Sequence, residues 1–378
     1  MNLSDKPRLL QVSDDGLLLA TGPQTTRTVA AQTLRHACMC EICVDRHSGQ
    51  RRVDVSSWPP TQTIASAELR DDGQLIVTFE EDGHRSLVPV VNVMGMRARR
   101  DDHARVLWSG DLAIREVAVS WQRIEDKAEQ YALLDRLARY GFSVVDDCPR
   151  EIGFVPQLAR YIGRIKESRV GPVFDVRFEP SPSNLAFTGD ELFLHTDNPY
   201  RNPVPGWQIL HCIRSAAEGG ESYVADGFAC AVYLKRQFPD DYAVLTRTPV
   251  TFEFESKDAS FASRRPVIAL SDRDEVMQVS FNDRSMQPVE GSAPEVRRFY
   301  EAYRRYRALL ADPARQVRFR LAPGQTFIVD NHRVLHARAS FSTASPRLLQ
   351  GAYVDTDWIT SKYHVASRAM KGEPAHVA

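Results

Sequence analysis

The sequence predicts a mainly β protein with flanking helices, on three observations. Residues 15–100 break into short apolar runs separated by turn residues. Residues 191–355 are again mostly strand-like, interrupted by two helical stretches. An amphipathic helix over 125–140 stands between these two regions. A β-rich body with helices at its flanks fits a double-stranded β-helix, the cupin-like jelly roll. A small N-terminal β-rich domain precedes it. The polar, mixed-charge run Met94–Arg105 marks the boundary, giving domains of 1–100 and 101–378.

Each element has a local reason. Gly16-Leu-Leu-Leu-Ala, Asp54-Val-Ser-Ser and Gln74-Leu-Ile-Val-Thr-Phe are strand candidates. Asp71-Asp72-Gly73 and Glu81-Asp82-Gly83 are turn signals, the second closing a hairpin. Residues 125–140 carry apolar positions at helical spacing and end at Gly141, a C′ glycine. Phe142-Ser-Val-Val follows as a strand, and Pro156–Ser168 reads as helix. Residues 228–238 and 293–310 are the two helical interruptions, and Phe299, Tyr303 and Tyr306 form a core stripe on the second. Phe327-Ile-Val-Asp and Val334-Leu-His-Ala read as strand, turn, strand, with His332 in the turn.

Composition narrows the class. Hydrophobic residues at 43% and charged residues at 26% are enough for a globular core. A formal net charge of −1 gives no field favouring nucleic acid or an anionic membrane. The start lacks the basic-then-apolar order of a signal peptide, and no apolar run reaches membrane-span length. The expectation is a soluble cytoplasmic protein. Three of the six cysteines crowd into residues 38–43, which in a cytosolic chain favours metal over disulfides.

The most informative motif is His195-Thr196-Asp197, with His336 far downstream. On a strand, residues i and i+2 share a face, so His195 and Asp197 can grip one ion. A second His completes a 2-His-1-carboxylate face with three open positions, which suits non-haem Fe(II) and a cosubstrate. Eleven residues after His336 stands Arg347. Its guanidinium can bind a carboxylate through two hydrogen bonds, as the distal carboxylate of 2-oxoglutarate requires.

In these motifs the chain resembles the γ-butyrobetaine and trimethyllysine dioxygenase family, within the larger group that includes taurine dioxygenase. The matching stretches are Leu194-His-Thr-Asp-Asn-Pro-Tyr, Pro205-Gly-Trp-Gln-Ile-Leu-His-Cys, Glu218-Gly-Gly-Glu-Ser, Val224-Ala-Asp-Gly-Phe, Asp330-Asn-His-Arg-Val-Leu-His-Ala-Arg and Arg347-Leu-Leu-Gln-Gly-Ala-Tyr353. The resemblance spans Leu34 to Tyr353. It implies Fe(II) on His195, Asp197 and His336, and 2-oxoglutarate on Arg347 with Asn184 and Leu210 lining its pocket. It also implies O2 as cosubstrate, oxidative decarboxylation of 2-oxoglutarate to succinate and CO2, hydroxylation of an unactivated C–H, and a homodimer. Cys38, Cys40 and Cys43 with His84 match a structural Cys3His zinc site. Cys148, Cys212 and Cys230 read as core residues.

Substrates of the family carry a trimethylammonium group, which has no hydrogen-bond donor and is recognised by aromatic faces. The cage candidates are Phe174, Phe187 and Tyr353, then Tyr200 and Trp207. Val170 stands where animal relatives have a further tyrosine. Asn198, Arg201 and Asn282 are candidates for the anionic end. An Arg with two Asn suits a tetrahedral dianion. A bacterial branch of the family, in organophosphonate catabolism, hydroxylates 2-(trimethylammonio)ethylphosphonate, and that is the leading expectation. Hydroxylation of γ-butyrobetaine to carnitine is the runner-up. A catalytically silent metal-binding or interaction protein is the alternative of another class, and the intact His195, Asp197, His336 and Arg347 argue against it. The absence of a basic stripe near Cys38–Cys43 disfavours a zinc-dependent nucleic-acid binder.

Overall fold

The computed structural model describes residues 7–20, 22, 24–93, 105–168, 171–182, 184–343 and 347–372. The chain divides into two compact units, Met1–Asp102 with Glu373–Ala378, and His103–Gly372. Most of the boundary run Met94–Arg105, and Val170, lie outside the described residues.

The first unit holds two three-stranded antiparallel sheets. One is β1 (Arg8–Ser13), β2 (Gly16–Ala20) and β3 (Thr26–Ala30), and the other is β4 (Ile64–Leu69), β5 (Gln74–Phe79) and β6 (Arg85–Pro89). Leu17, Leu19, Leu34, Leu75, Val77, Phe79 and Val88 pack into one apolar core. Full burial of each such side chain stabilises the unit by about 1.5–3 kcal/mol. The β5–β6 hairpin turns through the expected Glu81-Asp82-Gly83, with Gly83 at φ 62°. Two local expectations change. A helix at Ala31–His36 interrupts the strand-like region, and Asp54-Val-Ser-Ser is not a strand. The Asp54 carboxylate accepts from the Ser56 amide at 2.9 Å and its hydroxyl at 2.7 Å, capping a short helical turn. That local bond competes successfully with strand pairing.

The second unit contains β7 (Ala118–Ser120), β8 (Phe142–Asp146), β9 (Ile165–Lys166), β10 (Phe174–Arg177), β11 (Leu192–His195), β12 (Trp207–Arg214), β13 (Ser222–Asp226), β14 (Pro249–Ser256), β15 (Ala259–Pro266), β16 (Ile268–Leu270), β17 (Val276–Val279), β18 (Gln316–Phe319), β19 (Thr326–Asp330), β20 (Val334–Arg338) and β21 (Leu348–Val354). One sheet runs β10-β21-β12-β19-β8-β7 with β9 on β21, and a second runs β11-β20-β13-β18. Val224, Val317 and Val334 of the smaller sheet share a core with Phe142, Val144, Phe327, Val329 and Leu349 of the larger. Two sheets packed over one core make a β-sandwich. β14–β15 and β16–β17 form separate two-stranded ribbons.

Helices close the flanks. Lys127–Tyr140 starts at Asp126, which accepts from the Ala128 amide at 2.9 Å, buries Leu133, Leu134 and Leu137, and stops at Gly141 with φ 78°. Ala293–Ala311 opens with a Ser292–Glu295 capping box and buries Phe299, Tyr303 and Tyr306. A helix at Pro239–Arg247 directly follows Gly227–Gln237 and was not expected. The helix expected over Pro156–Ser168 covers only Val155–Ile162. Gly163 leaves the helical region, and Ile165 and Lys166 instead pair with Val354 and Tyr353. Sheet pairing there outweighs helix extension, and it brings Lys166 and Glu167 to the edge of the site. Among the described residues, no helix is long and apolar enough to cross a membrane.

Candidate active site

Antiparallel pairing of β11 with β20 sets His195 directly opposite His336, with ring centroids 4.5 Å apart. β11 ends at His195, so Asp197 is positioned by side chains and not by the ladder. The Asp197 amide donates to Asn331 Oδ1 at 2.5 Å, and Asn331 Nδ2 donates to the Asp197 carbonyl at 3.0 Å. Between the two ligands, the Thr196 amide donates to the Phe281 carbonyl at 2.8 Å. Asp197 Oδ1 then lies 3.4 Å from His195 Nε2 and 3.9 Å from His336 Nε2.

The protonation pattern fits a cation. His195 Nδ1 faces the Phe193 carbonyl at 2.7 Å, so it carries the proton and leaves the Nε2 lone pair toward Asp197. Burial pushes His336 down to about 3, keeping it a neutral ligand. Burial works to raise the Asp197 carboxyl, but the His195 and His336 rings and the Tyr353 hydroxyl around it hold it well below the usual range. Asp197 Oδ2 accepts from Gln208 Nε2 at 2.5 Å and from the Tyr353 hydroxyl at 2.8 Å. Oδ1 alone therefore faces the two imidazoles. Two imidazoles, one carboxylate and a cavity beside them are the donor set of a non-haem Fe(II) site.

That cavity, of about 220 Å³, is lined by His195, Asp197 and His336, and also by Arg347, Asn184 and Leu210. Arg347 immediately precedes β21, its guanidinium carbon 5.2 Å from the Phe341 ring centre. Burial lowers its pKa from the usual arginine value, and no carboxylate among the described residues pairs with it. Arg338, which sequence reading did not single out, lines the same cavity and is committed differently. It donates to the carbonyls of Ala186, Thr188 and Asp190 at 3.1, 2.9 and 2.7 Å. Arg338 thereby holds the segment carrying Asn184 and Phe187. Asn184 caps the short turn Leu185–Phe187 by accepting from the Ala186 amide at 2.9 Å.

Phe174, Phe187, Tyr353, Tyr200, Asn198 and Arg201 also line the cavity. Phe174 pairs with Gly351 across β10–β21, and its ring lies over that glycine. A Cβ at Gly351 would come within 2.7 Å of the Phe174 Cζ, so only glycine lets the ring reach Tyr353, 5.5 Å away. Arg201 stacks its guanidinium 4.3 Å from the Phe261 ring centre and is paired with no carboxylate among the described residues.

Two expected residues are elsewhere. Asn282 is buried outside the cavity lining, its Nδ2 donating to the Thr196 carbonyl at 2.8 Å. Its amide braces the segment between His195 and Asp197, its Oδ1 accepting from the Arg284 amide at 3.1 Å, and Arg284 itself lines the cavity. Trp207 packs into the core behind the larger sheet. Phe254 and Phe261, on the β14–β15 ribbon, line the cavity and stack against Tyr200 at 5.1 and 6.2 Å. Both lie in the stretch read as mostly strand, but nothing local shows that the ribbon reaches this cavity. Gln208 lay in a quoted motif, and only the register, which sets it opposite Tyr353, reveals its bond to Asp197.

The first unit carries the second cluster. His84, just past the Gly83 turn, places Nε2 at 3.4, 3.7 and 3.5 Å from the sulfurs of Cys38, Cys40 and Cys43. A tetrahedral zinc with Zn–S and Zn–N bonds of ordinary length separates sulfur from nitrogen by about 3.6 Å. The Arg35 guanidinium lies 3.5 Å from the Cys43 sulfur and 2.8 Å from Asp82. Burial pushes the Cys43 thiol up to about 12 and lowers His84. A bound dication would reverse the first of these.

The model of the taurine catabolism dioxygenase TauD, TfdA family matches residues 113–353. A γ-butyrobetaine dioxygenase from Pseudomonas sp. (strain AK-1) is 32% identical over 346 residues, 89% of each chain. A trimethyllysine dioxygenase from Meyerozyma guilliermondii is 28% identical over 361 residues, 88% of each. Among solved structures, an asparagine oxygenase in complex with Fe(II), hydroxyasparagine and succinate matches with a TM-score of 0.49 and 18% identity, over 64% of this chain and 94% of that one.

Proposed function

Because this chain belongs to the taurine catabolism dioxygenase TauD, TfdA family and is an Fe(II)- and 2-oxoglutarate-dependent dioxygenase, we propose that it hydroxylates an unactivated C–H of a small anion bearing a trimethylammonium group. The observation that carries this reading is one cavity that joins His195, Asp197 and His336, an Arg347 with no carboxylate partner among the described residues, and an aromatic wall. Bound iron and 2-oxoglutarate supply the oxidising chemistry. His195, Asp197 and His336 would hold the iron, and Arg347 would receive the distal carboxylate of 2-oxoglutarate. Asn184 and Leu210, which line the same cavity, would border that carboxylate. We read the two packed sheets as the double-stranded β-helix expected of such a site.

At the substrate end, Phe174, Phe187 and Tyr353 offer ring faces to the trimethylammonium group. Two relatives named for trimethylammonium substrates, matching along most of this chain, support that choice. Asn198 and Arg201 would take the anionic end, with Arg284 and not Asn282 beside them. Two guanidiniums and a carboxamide match a phosphonate dianion better than a single carboxylate, which favours 2-(trimethylammonio)ethylphosphonate and its 1-hydroxy product. γ-Butyrobetaine is the second reading, favoured by the identity to the bacterial γ-butyrobetaine dioxygenase. Anaerobic protein with Fe(II) and 2-oxoglutarate should give a visible charge-transfer band that His195→Ala loses. Succinate release should then be compared between the phosphonate and γ-butyrobetaine. Faster turnover of the carboxylate reverses the order, and no band sinks the oxygenase reading.

In the first unit, we propose that Cys38, Cys40, Cys43 and His84 hold a structural zinc. Four protein donors leave no position for a substrate, so this metal would hold fold and do no chemistry.

A further inference from the structure

Tyr353 faces the substrate half of the cavity, yet its hydroxyl is bonded to an iron-ligand candidate. The bonds continue in both directions. The Tyr200 hydroxyl donates to Asn198 Oδ1 at 2.7 Å, Asn198 Nδ2 donates to the Tyr353 hydroxyl at 3.4 Å, and that hydroxyl donates to Asp197 Oδ2 at 2.8 Å. Gln208 donates to the same Oδ2 at 2.5 Å from the neighbouring strand. The chain has one weak link, the 3.4 Å contact from Asn198, at the limit of hydrogen-bond length. Asn198, which is half-buried, is also open to a ligand at that point. It lines the cavity, and its backbone is held in the left-handed region, φ 51°.

We propose that Tyr200, Asn198 and Tyr353 couple occupancy of the anion subsite to the iron ligand Asp197, an inference that rests on the substrate reading above. An anionic group arriving at Asn198 takes the Nδ2 hydrogen, because a charge-assisted bond is stronger than the long neutral one it replaces. Tyr353 then loses its donor. A hydroxyl that accepts a hydrogen bond donates a stronger one, so its bond to Asp197 Oδ2 weakens. With less of its charge drawn toward Tyr353, Asp197 becomes the better donor through Oδ1. Gln208, which has no part in this chain, keeps the carboxylate in place throughout. Substrate thus tightens the metal site, and by linkage the metal tightens the substrate site by the same factor.

Mn(II) binding by calorimetry tests this on the full chain, with and without saturating γ-butyrobetaine or 2-(trimethylammonio)ethylphosphonate. Probe binding is measured separately by intrinsic fluorescence. Probe should raise the wild-type Mn(II) affinity about 5-fold or more, the lower range of site-to-site coupling. In Tyr353→Phe and in Asn198→Ala that ratio should fall below about 2-fold, although the probe still binds at higher concentration. Asn198→Ala leaves the Tyr353–Asp197 bond intact, so it separates lost coupling from a damaged metal site. If the probe binds but the ratio is near one in wild type, or is unchanged in both variants, the coupling is refuted. If neither probe binds the wild type, the substrate reading fails first and the coupling falls with it.

Discussion

The two metal-ligand clusters are built from opposite materials. In the first unit, three sulfurs and one imidazole surround a point at separations of 3.4–3.7 Å from His84, beside a small apolar cluster containing Cys38, Cys43 and Val44. In the second unit, two imidazoles and one carboxylate form one side of a cavity of about 220 Å³. The first offers four donors, and a zinc held by all of them would have no position left for a ligand. The second offers three, and Arg347, with no carboxylate partner among the described residues, lines the same cavity. The number of donors, more than their identity, separates a site that holds a fold from one that performs a reaction. Their supports differ accordingly. The cysteines sit on a loop tied back by the Met39 amide to the Leu87 carbonyl at 2.8 Å, whereas each imidazole rides on a sheet strand.

The largest effect should come from breaking the closed site. A structural zinc site contributes an apparent binding free energy of about 10–16 kcal/mol, comparable to the whole stability of a small domain. Cys43→Ala should therefore abolish one equivalent of zinc by elemental analysis and expose Ala31–His36 and the β5–β6 hairpin to hydrogen exchange. Full protection of that hairpin without zinc would erase the contrast. His195→Ala should do the reverse. The far-ultraviolet spectrum should stay native while succinate release falls more than about 100-fold, beyond the usual cost of losing a residue that only supports a ligand.

Arg347→Ala comes next. Removing one partner of a buried charge-assisted pair costs about 2–5 kcal/mol. The KM for 2-oxoglutarate should rise on the order of 30-fold or more, with iron affinity little changed. Arg347→Lys should recover only part of this, because an ammonium lacks the planar fork. A similar change in the KM for substrate would move Arg347 to the other half of the cavity.

These residues were legible because their signals are local or motif-bound. His-x-Asp, a second His on an apolar strand, a nearby Arg and C-x-C-x2-C each carry chemistry in their spacing. What stayed hidden depends on contacts made across the chain. Asn282 and Arg284 lie in one irregular segment, and only the bond from Asn282 to the Thr196 carbonyl decides which of them reaches the cavity. Phe254 and Phe261 are ordinary alternating strand residues until the ribbon packs them on Tyr200. Asp54 looks like the start of a strand, but its capping bond with Ser56 outweighs the apolar residue beside it. The double hydrogen bond on Asp197 Oδ2 needs three strand ends and loops to meet.

The smallest effect should be the one that touches no donor. Gly351 carries no chemistry, but it is the floor on which the Phe174 ring lies. Gly351→Ala puts a methyl within 2.7 Å of the Phe174 Cζ, and overpacking of this kind costs about 1–3 kcal/mol when it cannot relax. Phe174 is half-buried, so part of the strain should be relieved by the ring swinging toward the cavity and away from Tyr353. The expected result is a rise on the order of 10-fold in the KM for a trimethylammonium substrate, with zinc content and the KM for 2-oxoglutarate unchanged. A neutral analogue with a tert-butyl group in place of trimethylammonium separates shape from charge. If Phe174 acts through its ring face, the variant should narrow the preference for the cation over the analogue. An equal loss for both would mean that Phe174 only fills space, leaving Phe187 and Tyr353 to recognise the charge.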